Sequence, residues 1–170
     1  MSDGRSLGSE PQSYRTVVVG TDGSDTSMRA VERAAAIAAR NNAKLIVANA
    51  HLAADREGWG IAPSRSRGID YGAANVLKEE TYKLHGDAPV FAMLREARDR
   101  AKAAGANDIG ERAVVGAPVK ALVDLVEEVE ADLLVVGSVG LNTFTGRLLG
   151  SMAAGVSRRA KTDVLIVHTT

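Results

Sequence analysis

Five short runs rich in branched aliphatic residues recur along this chain: Arg15–Thr21, Lys44–Ala48, Ile109–Val115, Asp132–Val136 and Asp163–Val167. They read as continuous rather than alternating, and the stretches between them carry apolar residues at helical spacing. A strand that alternates hides one face; a continuous run must be covered on both. Strand, helix, strand, repeated to a fifth strand, predicts an α/β fold: a five-stranded parallel sheet with helices on both faces.

The helical segments carry their own punctuation. Ser24 or Asp25 is placed to cap a helix on which Met28, Val31, Ala35 and Ala38 share a face, ending at Asn41-Asn42. Asp87 and Pro89 open a helix with Val90, Leu94, Ala97, Ala101 and Ala104 on one side, stopped by Gly105. Pro118 starts a third, striped by Val119, Leu122, Val123, Val126 and Val129, and the last spans Ser151 to Ala160. A short helix is expected over 76–84. Residues 1–13 are polar and Gly/Ser-rich and predict a disordered tail. Residues 14–170 then form a single domain, interrupted at about 53–75 by a long irregular insertion with Trp59 and Tyr71.

Composition narrows the function. Of 170 residues, 45% are hydrophobic but only 4% aromatic, so Val, Leu, Ile and Ala must fill the core. Twenty-one basic residues against 21 acidic ones leave no formal charge, which argues against a nucleic-acid partner. Cysteine is absent, excluding disulfides, thiolate metal sites and a cysteine nucleophile. No apolar run approaches a signal core or a membrane span, so a cytoplasmic protein with no membrane partner is expected. His51, His85 and His168 have no metal-ligand spacing, and no metal site is expected.

In an open parallel sheet, ligands collect at the carboxyl ends of the strands where strand order reverses. Thr21-Asp22-Gly23-Ser24 follows the first strand, and Asn49 and His51 follow the second. Gly116 and Ala117 follow the third. The fourth leads into Gly137-Ser138-Val139-Gly140, nine residues, Gly150-Ser151 and a helix. Glycines admit an anion close to the backbone, and a helix beginning at Ser151 offers unpaired N–H groups and a positive dipole end. The Ser151 hydroxyl adds a donor and could also cap that helix. This is a phosphate cradle, but neither a Walker loop nor a dinucleotide fingerprint.

That glycine spacing resembles the ATP-binding signature of the universal stress protein family. TVVVGTDGSDTSMRAV at 16–31 is similar to the family's opening strand, acidic turn and helix; ADLLVVGSVG at 131–140 and the segment from Arg147 to His168 are similar to its closing half. The resemblance covers Arg15 to His168 apart from the insertion. It is strongest to cyclic-AMP-binding members from mycobacteria, through GTDGSD, GAPVKALVDL, GRLLGS and VSRRAK.

It implies a flavodoxin-like, adenine nucleotide alpha hydrolase-like sheet of order 3-2-1-4-5. It further implies that Asp22 contacts adenosine, with Gly20 and Thr21 shaping the turn beneath it. Ala48 would meet adenine through its backbone, Gly137 and Gly140 would admit ribose and phosphates, and Gly150 and Ser151, with Met152 beside them, would hold phosphate oxygens. Val164, Leu165, Ile166, Val167 and His168 would pair two subunits in a homodimer. Where many ATP-binding members carry a basic or hydroxyl residue after the second glycine, this chain has Leu141-Asn142, and Arg147 is the sole basic residue of the loop. One cation suits one phosphate better than three, which favours cyclic AMP over ATP with Mg2+. The function implied is a regulator or sequestering module in stress response, and not an enzyme. The alternative is an ATP-binding protein with slow ATPase activity.

Overall fold

The computed structural model describes residues 13–52, 88–138 and 150–168. All but the last residue of the expected tail over 1–13, the insertion at 53–75 and the short helix over 76–84 lie outside the described residues. Nine elements follow in order: β1 (Thr16–Gly20), α1 (Asp25–Asn41), β2 (Lys44–His51), α2 (Ala88–Ala103), β3 (Ile109–Val115), α3 (Pro118–Glu128), β4 (Leu133–Gly137), α4 (Ser151–Arg159) and β5 (Asp163–Val167).

All five strands are parallel, in the order β3-β2-β1-β4-β5. Val17, Val19, Leu45, Val47, Leu133 and Val135 face one side, where Met28, Val31, Ala35, Leu94 and Ala97 of α1 and α2 cover them. Val18, Ile46, Leu134 and Val136 face the other, under Leu122, Leu125, Val126 and Val156 of α3 and α4. The continuous apolar runs of the inner strands are thus buried on both faces, as a doubly covered sheet demands. β3 differs because it lies at the edge. It is only partly buried and carries Glu111 and Arg112, paired with Arg98 of α2 and Glu128 of α3.

Ser24 caps α1, its side chain accepting from the Ser27 N–H. Asn42 ends it in a left-handed conformation, φ 50°, with its N–H on the carbonyls of Ala38 and Ala39. Gly105 stops the chain after α2 with φ 104°, a region only glycine enters freely. Val129 terminates α3 instead of belonging to it.

β1 is one residue shorter at each end than the expected Arg15–Thr21, whereas β2 runs three residues past Ala48. Asn49, Ala50 and His51 pair with Ala113, Val114 and Val115, so β3 carries β2 onward after β1 has turned away. The chain passes from the α1/α2 face to the α3/α4 face between β3 and β4. The sheet order therefore reverses between β1 and β4, opening a crevice at their carboxyl ends.

Candidate functional site

At the end of β1 the chain turns through a lattice of short-range hydrogen bonds. The Thr21 N–H reaches the Ala48 carbonyl at 2.8 Å, one rung beyond the strand. Its buried hydroxyl meets Ser27 Oγ at 2.8 Å and accepts from the Gly23 N–H at 3.2 Å. Gly23 adopts φ 81°. Asp22 accepts at Oδ1 from both the Ser24 N–H and the Ser24 hydroxyl. Asp22 is therefore a turn former, and it also stands exposed on the wall of a cleft.

The cleft has a volume of about 460 Å³. It is walled by the β1 turn, the end of β4 and the N-terminal turns of both α3 and α4. Two close approaches shape it. A Cβ at Gly20 would lie 2.7 Å from Leu122 Cδ1, so the missing side chain lets α3 descend onto the sheet. A Cβ at Gly155 would lie 2.6 Å from Val119 Cγ2, so α3 and α4 meet almost backbone to side chain. Leu122, Val136 and Pro118 give the cleft apolar walls that suit a flat heterocycle.

The polar end comes from main chain. Gly150 is the N-cap of α4 and makes no side-chain cap bond. Its carbonyl takes the first helical bond, from Ala154, which leaves the N–H groups of Ser151, Met152 and Ala153 without intrahelical acceptors. All three residues line the cleft. Ser151 is thus the first helical residue, and the capping role expected of it falls to Gly150. The Gly150 N–H is itself committed, at 2.7 Å, to the Ser138 carbonyl, while the Ser138 N–H binds the Val167 carbonyl.

A second helix start, the one expected at Pro118, opens on the same cleft, a convergence the sequence did not show. Ala117 is an uncapped N-cap, Pro118 has no N–H, and the first bond of α3 runs from Ala121 to Ala117. Val119 and Lys120 thus present N–H groups beside those of α4. Two positive dipole ends converge on one volume, an arrangement that favours an anion. Lys120 and Arg159 line the cleft as well, Lys120 paired with Asp124 one turn on. Asp22 is the only carboxylate among the described lining residues.

The strand-end residues sort by the ladder. In β2 the even positions bond toward β1, as at Lys44 with Arg15 and Ala48 with Thr21; the odd positions bond toward β3, as at Leu45 with Asp108 and His51 with Gly116. By that alternation Ala50 turns its N–H and carbonyl toward the side from which β1 has departed, and Ala50 lines the cleft. Ala48 lies earlier, its side chain wholly buried and its carbonyl engaged by Thr21.

Of the residues singled out in the sequence, Gly20, Thr21, Asp22, Gly137, Gly150, Ser151 and Met152 come together around the cleft. Gly23, Ser24, Gly116 and Ser138 stand behind it and set its backbone. Val139, Gly140 and Arg147 lie outside the described residues. Ala117, named in the sequence as following the third strand, also lines the cleft, whereas Ala50, Val119, Lys120 and Ala153 were missed. The glycine and proline of Gly116-Ala-Pro118 were the available signal for the α3 start. Among the described residues no group of three or more His, Asp or Glu side chains could hold a metal, and no helix is long and apolar enough to cross a membrane.

A sequence model of the universal stress protein family matches residues 13–168. A universal stress protein of Mycobacterium tuberculosis is 58% identical over 157 residues, covering 92% of this chain and 98% of that protein. A crystal structure of a universal stress protein in complex with cyclic AMP superposes with a TM-score of 0.69 at 56% identity, covering 94% of this chain and all of that one. A universal stress protein from Archaeoglobus fulgidus, solved with dAMP, has a TM-score of 0.60 at 20% identity over 91% of this chain and 98% of that one; the likeness there is of fold.

Proposed function

This chain belongs to the universal stress protein family, and we propose that it binds an adenine nucleotide, cyclic AMP in preference to ATP, in the cleft between the ends of β1 and β4. The observation that carries the reading is the meeting of apolar walls with two uncapped helix N-termini in a single cleft of about 460 Å³. Leu122 and Val136 would give the base an apolar wall, and the free N–H of Ala50 would take its edge. The turn at Asp22 would face the ribose. The N–H groups of Ser151, Met152 and Ala153 would hold the phosphate, with Gly137 making room.

The preference for cyclic AMP rests on the 56% identical neighbour solved with that ligand. The count of cations is a weaker guide than the glycine loop suggested, because Lys120 and Arg159 add to the wall. The described lining offers no histidine or glutamate as a general base, and Asp22 Oδ1 is held by Ser24, which supports binding without turnover. A regulatory or sequestering role in a cytoplasmic stress response, exercised by a homodimer, completes the proposal.

Isothermal titration against cyclic AMP and ATP in parallel tests it. Binding of cyclic AMP is expected to be the tighter, with no phosphate released from ATP over hours. Tighter ATP binding with steady phosphate release would move the reading to the slow ATPase. Heat from neither nucleotide would end it.

A further inference from the structure

The nucleotide reading leaves one buried polar side chain without a task. Asn49 is 7% exposed, inside β2, on the face packed against α1 and α2. Its amide nitrogen donates to the Thr21 carbonyl at 2.8 Å. In a regular parallel ladder that carbonyl would accept instead from the backbone N–H of Ala50, because the Thr21 N–H already takes the Ala48 carbonyl. The side chain of Asn49 stands in for the next rung.

Two consequences follow from this substitution. The Thr21 carbonyl, on a residue 6% exposed, is satisfied without β1 having to continue, so the chain can leave the sheet at Asp22. The Ala50 N–H, relieved of its ladder acceptor, is left directed into the cleft.

We propose that Asn49 is the positioning residue of the nucleotide site: by occupying the Thr21 carbonyl it fixes the Asp22 turn and keeps the Ala50 N–H available to the base. It touches no ligand itself. It acts from the opposite face of the sheet, through the backbone. The energetic case is one of scarcity. A buried carbonyl must be paired, and only two donors are within the register to do it. If the asparagine donor is withdrawn, the Ala50 N–H is the remaining candidate, and it can serve Thr21 or a ligand but not both. The Asn49 Oδ1 and the neighbouring His51 Nδ1 are both buried without a partner, so the amide has been placed for what its nitrogen does rather than for a mutual network.

The inference rests on the nucleotide reading for its purpose but not for its geometry, and the experiment separates the two. In the ligand-free protein, amide hydrogen exchange followed by NMR is expected to find the Ala50 N–H unprotected, with a through-hydrogen-bond coupling between the Asn49 side-chain nitrogen and the Thr21 carbonyl carbon. In Asn49→Ala and Asn49→Ser the Ala50 N–H is expected to gain protection as it closes onto Thr21. Affinity for cyclic AMP is then expected to fall about tenfold, the scale of one hydrogen bond lost to a competing acceptor. The far-ultraviolet spectrum and a cooperative melt should be retained. Asn49→Asp, which keeps the shape and removes the donor, is expected to repeat the affinity loss. An Ala50 amide already protected in the native protein overturns the geometry, whatever binds. Unprotected Ala50 with unchanged affinity in folded variants overturns the positioning role. If the native protein binds no nucleotide while the exchange pattern holds, the proposed ligand is wrong and the Asn49 strap stands.

Discussion

Gly116 sits at φ 147°, in a region that side-chain-bearing residues rarely enter, with its N–H on the His51 carbonyl and its carbonyl leading into the first turn of α3. A Cβ there would meet Ala121 Cβ at 3.5 Å, an ordinary contact, so the cost of a substitution comes from the backbone alone. Gly116→Ala is expected to lower stability by about 1–3 kcal/mol, measured by urea denaturation at unchanged m-value. It is also expected to weaken nucleotide binding, because it tilts the α3 N-terminus that shares the cleft. At this scale the sequence was legible where chemistry is local. Asp22, Gly23 and Ser24 announce a turn whichever strand neighbours them, and Gly150-Ser151 announces a helix start. Ala50 and Asn49 were illegible because their meaning depends on where β1 leaves β2, and that is decided by β3, sixty residues further along, holding β2 in register to His51. Nothing in the string Asn49-Ala-His distinguishes a strand's last pair from the loop beyond it.

Between elements, the opposite pole of the sheet is tied by Asp132. Its carboxylate, just before β4, accepts from the Thr16 N–H at 2.9 Å and the Arg15 N–H at 2.6 Å, pinning the start of β1 to its neighbour. These backbone bonds, that from Thr16 first, hold its pKa below the usual carboxylate value. The sign of the linkage follows. A carboxyl that ionises more readily folded than unfolded contributes stability fully above its unfolded pKa, near 3.9, and that contribution is lost as pH falls through the lower folded value. Asp132→Asn should therefore cost about 1 kcal/mol at pH 7, a modest figure because the group is partly exposed. The difference from the native protein should vanish at the acid end of the unfolding curve; thermal melts from pH 7 to pH 2.5 would read it. A difference constant across that range would remove the carboxylate from the account. The helices were the most readable elements, since stripe, cap and stop are all carried within each. The α3 start was half-readable: Pro118 gave its position, but not that its N-terminus turns toward the same volume as that of α4. That convergence depends on Gly155 and Val119 touching, a contact between residues 36 positions apart.

For the molecule as a whole, the doubly covered parallel sheet was legible in the run pattern, because continuous apolar runs force two covered faces, while the strand order came from the family resemblance. What remains open at this scale is the free edge. β5 pairs only with β4 among the described strands, and its residues are half-buried rather than sealed. Val167 directs its carbonyl toward Ser138, so Ile166, one residue before, points its N–H and carbonyl outward. An unpaired edge of this kind is a template for a second chain. Light scattering coupled to gel filtration is expected to give twice the 17.8 kDa chain mass. Ile166→Pro, which deletes an outward donor and spares the β4 ladder, should give a folded monomer. A native protein eluting at the single-chain mass would count against pairing through this strand.

One hydrogen bond has a bearing on how such a chain can vary. Gly150 donates to the Ser138 carbonyl at 2.7 Å, and Ser138 is in turn fastened to β5. Ser138 and Gly150, twelve positions apart, are therefore held at a single riveted point. Doubling the length of what hangs from that rivet would add roughly 0.6 kcal/mol of closure entropy and leave the frame unstrained. With Ser138 and Gly150 fastened to one another and to β5, the sheet, the helices and their spacing keep their places whatever length of chain separates those two residues.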